Sequence, residues 1–261
     1  MTGESGEAET GQPQTVATEA APGRLWGVGV GPGDPELMTL KAARVLAAAD
    51  VVAWFAKAGN SSNARGCALA HLRPGVVELP LLYPVTTEIP KADAAYREAI
   101  DRFYEQSAAA VAEHLAAGRS VAVLSEGDPL FYGSYMHIHV RLAHRFPTEV
   151  VAGVTAMSGC WSLAGVPITQ GDDVLTVLPG TLPEDELARR LAGADAAVIM
   201  KLGRNLPKVR LALAAAGLLD RAVYVERGTM ATGAVVRLAD KPDDKAPYFS
   251  LVLVPGWTGR T

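Results

Sequence analysis

Arg24-Leu-Trp-Gly-Val-Gly-Val-Gly-Pro-Gly-Asp-Pro35 is an apolar run that fills with glycine and breaks at a Gly-Asp-Pro turn. It reads as a strand, 24–30, delivering the chain into a helix over 36–49. The same triplet returns at Gly127-Asp-Pro129, after an apolar strand at 120–124 and before a helix reaching about Arg145. Glycine permits a tight or left-handed turn. Aspartate at an N-cap accepts a hydrogen bond from a first-turn N–H. Proline suits the first helical position, where its missing N–H would be unpaired anyway. Taken singly, each triplet is an ordinary helix start. Together, at the carboxyl ends of two strands, they mark the edge where open α/β sheets bind ligands.

Working outward, the chain alternates strand and helix signals. Residues 51–55 read as a strand, 57–66 as a polar loop, 76–79 as a short strand and 80–90 as a proline-bearing loop. A long helix over 93–117 stops at Gly118, where a C′ glycine belongs. After about residue 148 come a small-residue helix over 154–164, a strand at 174–178, a helix at 184–192 and a strand at 197–202. A helix at 206–216 and three strand candidates at 223–226, 234–238 and 248–254 complete the order. This spacing predicts an α/β protein of two α/β domains with the site in the cleft between them. The expected division is a disordered leader over 1–23, an N-terminal domain over 24–147 and a C-terminal domain over 148–261.

Of the 261 residues, 49% are apolar, enough for a sizeable core, and the net charge is −4. No Lys/Arg-dense stretch suggests nucleic acid. The two cysteines, Cys67 and Cys160, have no CxxC or metal-ligand spacing, so no metal is expected. The first 23 residues lack a basic start and an apolar run, which excludes a signal peptide, and no apolar run is long enough for a membrane span. The expected compartment is the cytoplasm.

The glycines invite a dinucleotide reading, but their spacing fails. With Gly27 and Gly29 as the first pair, the third glycine should be residue 32, which is Pro32; starting from Gly29 and Gly31, it should be Asp34. No Gly-Lys-Ser/Thr follows either. A nucleotide-dependent oxidoreductase stays as an alternative from another class.

Five segments in order resemble the tetrapyrrole (corrin/porphyrin) methylases. They are Gly29-Val-Gly-Pro-Gly-Asp34, Ser125-Glu-Gly-Asp-Pro-Leu-Phe-Tyr-Gly-Ser134, and Gly153-Val-Thr-Ala-Met-Ser-Gly159 continuing to Gly165-Val-Pro-Ile168. Val198-Ile-Met-Lys-Leu-Gly203 and Glu226-Arg-Gly-Thr229 follow. The second departs from the pattern by carrying Glu126 where a glycine is usual. Trp54-Phe-Ala-Lys57, Leu81–Pro90 and Leu124–His137 are similar to the branch that methylates carbon 20 of the ring. The resemblance implies a homodimer that binds S-adenosylmethionine between its domains and methylates C20 of precorrin-2 in cobalamin biosynthesis. The anaerobic counterpart on cobalt-factor II is the alternative.

By that resemblance, Gly127, Asp128, Thr155 and Ala156 lie against the cofactor. Gly228 and Thr229 add a backbone contact, and either Met200 or Leu202 fills the fourth motif's contact. Glu126 either touches the cofactor or occupies space. The substrate carries many carboxylates, so a basic rim is expected from Lys57, Arg65, Lys201, Arg204 and Arg227, with Pro32 and Gly33 beside the ring. The loops at 57–66 and 80–90 would shape that end. Candidate proton acceptors are Asp34, Glu88, Tyr135, His137 and His139. The two histidines are two apart on one helix and cannot both face the cleft.

Overall fold

The computed structural model describes residues 21–85 and 93–256. The first half contains β1 (Leu25–Gly29), α1 (Leu40–Ala48), β2 (Val51–Lys57), α2 (Asn63–Ala68), β3 (Val77–Tyr83), α3 (Ala94–Ala116), β4 (Val121–Ser125), α4 (Tyr135–Leu142) and β5 (Thr148–Val151). Its sheet is parallel throughout, in the order β3-β2-β4-β1-β5. Strands covered on both faces read as continuous apolar runs, and all five residues of β4 are buried. Alternate side chains feed two cores. Leu25, Val51, Val121 and Val123 pack with Leu115 of α3 and Tyr135 of α4. Val28, Val52, Ala122 and Leu124 pack with Leu46 of α1 and Ala64 of α2.

The second half contains α5 (Ala156–Ala164), β6 (Leu175–Pro179), α6 (Glu184–Leu191), β7 (Ala196–Met200), α7 (Leu206–Ala215), β8 (Val223–Glu226), β9 (Ala234–Arg237) and β10 (Ser250–Val254). Its sheet runs β6-β7-β10-β8-β9, parallel only between β6 and β7. α6 and α7 cover one face through Leu187, Leu191, Val209 and Leu213. α5 packs on the other, against Val198, Val225 and Leu253.

Several expectations need correcting. Asp34 does cap, accepting from the Glu36 N–H at 2.9 Å, but it starts only a single 3-10 turn, Pro35–Leu37. α1 begins later, where Thr39 accepts from Ala42 N–H. Asp128 starts no helix at all: α4 begins after Ser134, and Asp128 closes a local turn by accepting from Leu130 N–H at 2.9 Å. The polar loop at 57–66 contains the start of α2, capped by Ser62. β3 runs on to Tyr83, into the loop placed at 80–90. Thr148–Val151 pairs with β1, so we place the division between the halves after Val151 rather than between 147 and 148. Of the expected leader, residues 1–20 lie outside the described residues, whereas Gly23 is buried and donates its N–H to Leu115 O at 2.8 Å. Glu88 and residues 86–90 of the second loop also lie outside the described residues.

Candidate active site

The order of the first sheet fixes where a ligand can sit. β1 and β4 are neighbours. The chain leaving β1 forms α1 on one face, and the chain leaving β4 forms α4 on the other. Connections diverging from adjacent strands open a crevice at their carboxyl ends, the switch point at which open α/β sheets hold ligands. Both Gly-Asp-Pro turns flank that crevice. They are joined by a two-residue bridge, Gly31 to Gly127, with Gly127 N–H donating to Gly31 O at 2.8 Å.

The backbone packs closely here. A Cβ on Gly29 would lie 2.6 Å from Gly127 O and 2.7 Å from the backbone of Gly153. Gly127 has φ +67°, a conformation that favours glycine. Its missing side chain faces Thr155 and the N–H of Ala156 at 3.6 Å, so main chain lines the space between the second turn and the start of α5. Thr155 caps α5 by accepting from Ser158 N–H at 3.3 Å. Asp128 ties turn and crossover together, accepting from Gly153 N–H at 3.1 Å.

The second half closes on the first turn. Asp34 N–H donates to Thr229 Oγ1 at 3.3 Å. A Cβ on Gly33 would meet Met230, and one on Gly159 of α5 would lie 2.8 Å from both Pro32 and Thr229. Thr229 thus holds the first turn with its side chain. Gly228 packs on Cys160, whose thiol is pushed up to about 12 by burial, partly offset by a hydrogen bond from the Gly228 backbone. Met200 packs among the residues between α5 and the second sheet, whereas Leu202 is fully buried under α7. Of the two, Met200 is the one at the α5 face.

Glu126 reaches solvent, yet protein surrounds it. Desolvation raises its carboxyl above the ordinary range, and hydrogen bonds from the Ala64 backbone and the Asn63 side chain partly offset this. It therefore joins the end of β4 to the first turn of α2. Cys67, also in α2, donates its thiol to Gly33 O at 3.3 Å. From the second half, Tyr248 extends into the field of Glu126 and Tyr104, and is 80% exposed.

The other expected residues separate. Tyr135 is fully buried, with its hydroxyl 3.1 Å from His139 Nδ1. Burial raises that phenol's pKa, and the pair sits under the sheet rather than in the crevice. His137 stacks on Tyr104 at 3.8 Å, and desolvation followed by the nearby Arg141 lowers its pKa. Lys57 ends β2 beside Tyr83. Arg65 forks onto Glu78 at 2.5 and 2.7 Å. Arg227 pairs with Glu226 at 2.8 Å, and Arg204 is exposed beyond β7. Among the described residues, no group of three or more His, Cys, Asp or Glu could hold a metal ion.

Sequence reasoning missed a hydroxyl cluster. Ser134 Oγ is bonded to Tyr83 OH and lies 3.3 Å from Tyr104 OH. These residues come from β3, α3 and the α4 cap, and no local spacing joins them. Also missed was the contact of Lys201 Nζ with the Tyr132 ring, 4.5 Å from its centroid.

Residues 24–240 match the family model described as Tetrapyrrole (Corrin/Porphyrin) Methylases. A precorrin-2 C(20)-methyltransferase of Sinorhizobium sp is 70% identical over 91% of this chain and 97% of its own length. A cobalt-precorrin-2 C(20)-methyltransferase of Salmonella typhimurium is 30% identical over 89% and 96%. The solved uroporphyrin-III C-methyl transferase of Thermus thermophilus, complexed with S-adenyl homocysteine, has a TM-score of 0.60 at 24% identity. It covers 89% of this chain and 92% of its own. No helix among the described residues is long and apolar enough to cross a membrane.

Proposed function

Since this chain belongs to the tetrapyrrole (corrin/porphyrin) methylases, we propose that it transfers the methyl group of S-adenosylmethionine to C20 of precorrin-2, giving precorrin-3A. One observation carries the reading. Identity is 70% to the relative named for precorrin-2 and 30% to the one named for the cobalt-containing ring. The nucleotide-dependent oxidoreductase finds no support in these matches.

S-adenosylmethionine, when bound, supplies an electrophilic methyl group on a sulfonium. The residues present fit it: at Gly127 the second turn meets the start of α5 main chain to main chain. Gly127, Thr155 and Ala156 would hold the cofactor, with Met200 and Gly228 on the far side. A helix N-terminus favours negative groups, which suits a carboxylate beside the first turn of α5. Thr229 acts indirectly, by fixing Asp34 and the first turn. Glu126 acts by fixing α2 against β4.

The nucleophile is a meso carbon, made electron-rich by the ring's own nitrogen lone pairs. The protein therefore has mainly to align carbon with methyl and to exclude water. Among the described candidates for the final proton, Asp34 lies at the crevice, and Tyr135 and His139 engage each other below it. Lys57 and Arg204 are the rim for the substrate's carboxylates, while Arg65 is committed to Glu78 and Arg227 to Glu226. The working form is the family's homodimer. Turnover of metal-free against cobalt-loaded substrate tests the choice. Preference for the metal-free ring is expected; strong preference for the cobalt form would overturn it.

A further inference from the structure

Glu126 follows β4 directly and precedes Gly127, whose main chain faces the start of α5. Its carboxyl lies on the α2 side of the sheet, as do Ala122 and Leu124, with Asn63 and Ala64 beside it. Cys67 of the same helix donates to Gly33 O at 3.3 Å and lies in the field of both Glu126 and Asp34. Tyr248 reaches the same carboxyl's field from the second half, just ahead of β10. Groups from α2, the first Gly-Asp-Pro turn and the second half thus converge on Glu126, yet the residue is exposed. A carboxyl enclosed on these sides and still open to solvent opens into the cleft. The cofactor's main-chain wall at Gly127 is on one side of it. The Gly33 turn, expected beside the ring, is on the other.

The proposed chemistry leaves a task at this place. When C20 attacks the methyl group, the S–C bond breaks and its electron pair stays on sulfur. The new C–C bond takes a pair from the ring, so C20 then bears both a hydrogen and a methyl group, and the ring carries one positive charge more. Breaking the C20–H bond returns that pair to the ring and requires a proton acceptor. Asp34 spends Oδ1 on the Glu36 N–H at 2.9 Å, and Tyr135 and His139 engage each other under the sheet. The enclosure of Glu126, chiefly by desolvation, holds its carboxyl above the ordinary range. That moves it toward neutrality, where a general base works best.

We propose that Glu126, besides fixing α2, is the catalytic base that takes the C20 proton after methyl transfer and passes it to solvent at the open side of the cleft. The inference rests on the proposed methylation of C20. Glu126→Gln keeps the shape and an acceptor for the Ala64 N–H but cannot take a proton, whereas Glu126→Asp keeps a carboxylate on a shorter stem.

The test follows single turnovers of precorrin-2 by two signals, S-adenosylhomocysteine formed and the ring absorbance of the finished product, together with kcat against pH. In the wild type the two signals should rise together, and kcat should fall as acid protonates Glu126. Cys67, Asp34 and Tyr248 are the titratable groups around it. Glu126→Gln should lower kcat about a hundredfold and remove that acid limb, with little change in KM. In this variant S-adenosylhomocysteine should form first and the product absorbance lag behind, and deuterium at C20 should slow only the lagging signal. Glu126→Asp should keep the acid limb and lose less of kcat. An unchanged kcat in Glu126→Gln, or a fall in which both signals still rise together, would overturn the proposal. Wild-type product methylated on another carbon contradicts the proposed function, whereas an unaltered Glu126→Gln that still makes the C20 product overturns the role of Glu126 alone.

Discussion

Gly27 sits mid-strand in β1, and a Cβ there would overlap the ring of Tyr135. Gly27→Ala should lower stability by about 1–3 kcal/mol, the usual cost of overpacking a core, measured as a drop in the urea midpoint. An unchanged midpoint would mean that the ring moves freely. The glycines of the opening run therefore have separate jobs. Gly27 admits Tyr135, Gly29 admits the backbones of Gly127 and Gly153, and Gly31 bridges to Gly127. The sequence shows their density and rules out the dinucleotide spacing, but it cannot show these partners, which lie about a hundred residues away. Glu126 gives a second test. Its folded pKa is raised above the ordinary value of 4.5. The protonated form is thus favoured by folding, so its contribution is fully present below about 4.5 and is lost as pH rises through the folded pKa. Glu126→Gln should therefore flatten the stability profile upward from about 4.5 and raise the midpoint at neutral pH. A profile unaltered by the change would contradict the desolvation seen at this carboxyl.

The start of α5 carries the most at the element scale. Thr155→Ala removes the cap bond to Ser158 N–H and should cost about 0.5–2 kcal/mol. It should also weaken S-adenosylhomocysteine binding by calorimetry, with Thr155→Ser retaining both. Loss of stability without loss of affinity would place the cofactor elsewhere. Helix and strand order was legible because long elements carry their period: α3 shows its Asp93 cap and its Gly118 stop, and β4 its unbroken apolar run. α2 was not. Its six residues, Asn63-Ala-Arg-Gly-Cys-Ala68, include a glycine and too few turns to show a period, and its hold on the sheet comes from Ser62, Glu126 and Cys67. The Gly-Asp-Pro turns misled in a related way. An aspartate that accepts from the N–H two residues on looks the same in sequence whether a helix, a 3-10 turn or an isolated turn follows. β5 went unread because four residues beside a proline carry no mark of being a strand or of which sheet they join.

For the whole molecule, the two halves meet through contacts that no local pattern records, such as Asp34 with Thr229 and Tyr132 with Lys201. The candidate site was legible as motifs, and its closure was not. Two measurements address the assembled protein. S-adenosylhomocysteine at a hundredfold above its Kd adds about 2.7 kcal/mol, which should raise Tm by roughly 5–10 °C for a chain of this size, while NAD should leave it in place. The reverse pattern would restore the oxidoreductase reading. Sedimentation equilibrium should give twice the mass of the 27.3 kDa chain, and a single-chain mass would remove the homodimer. The central claim is regiochemical, and the most direct measurement is the NMR spectrum of the product formed from precorrin-2 and S-adenosylmethionine labelled with carbon-13 in its methyl group. The proposed function requires one labelled methyl on C20, formed in equal amount with S-adenosylhomocysteine. Label on another ring carbon, or none, would contradict it.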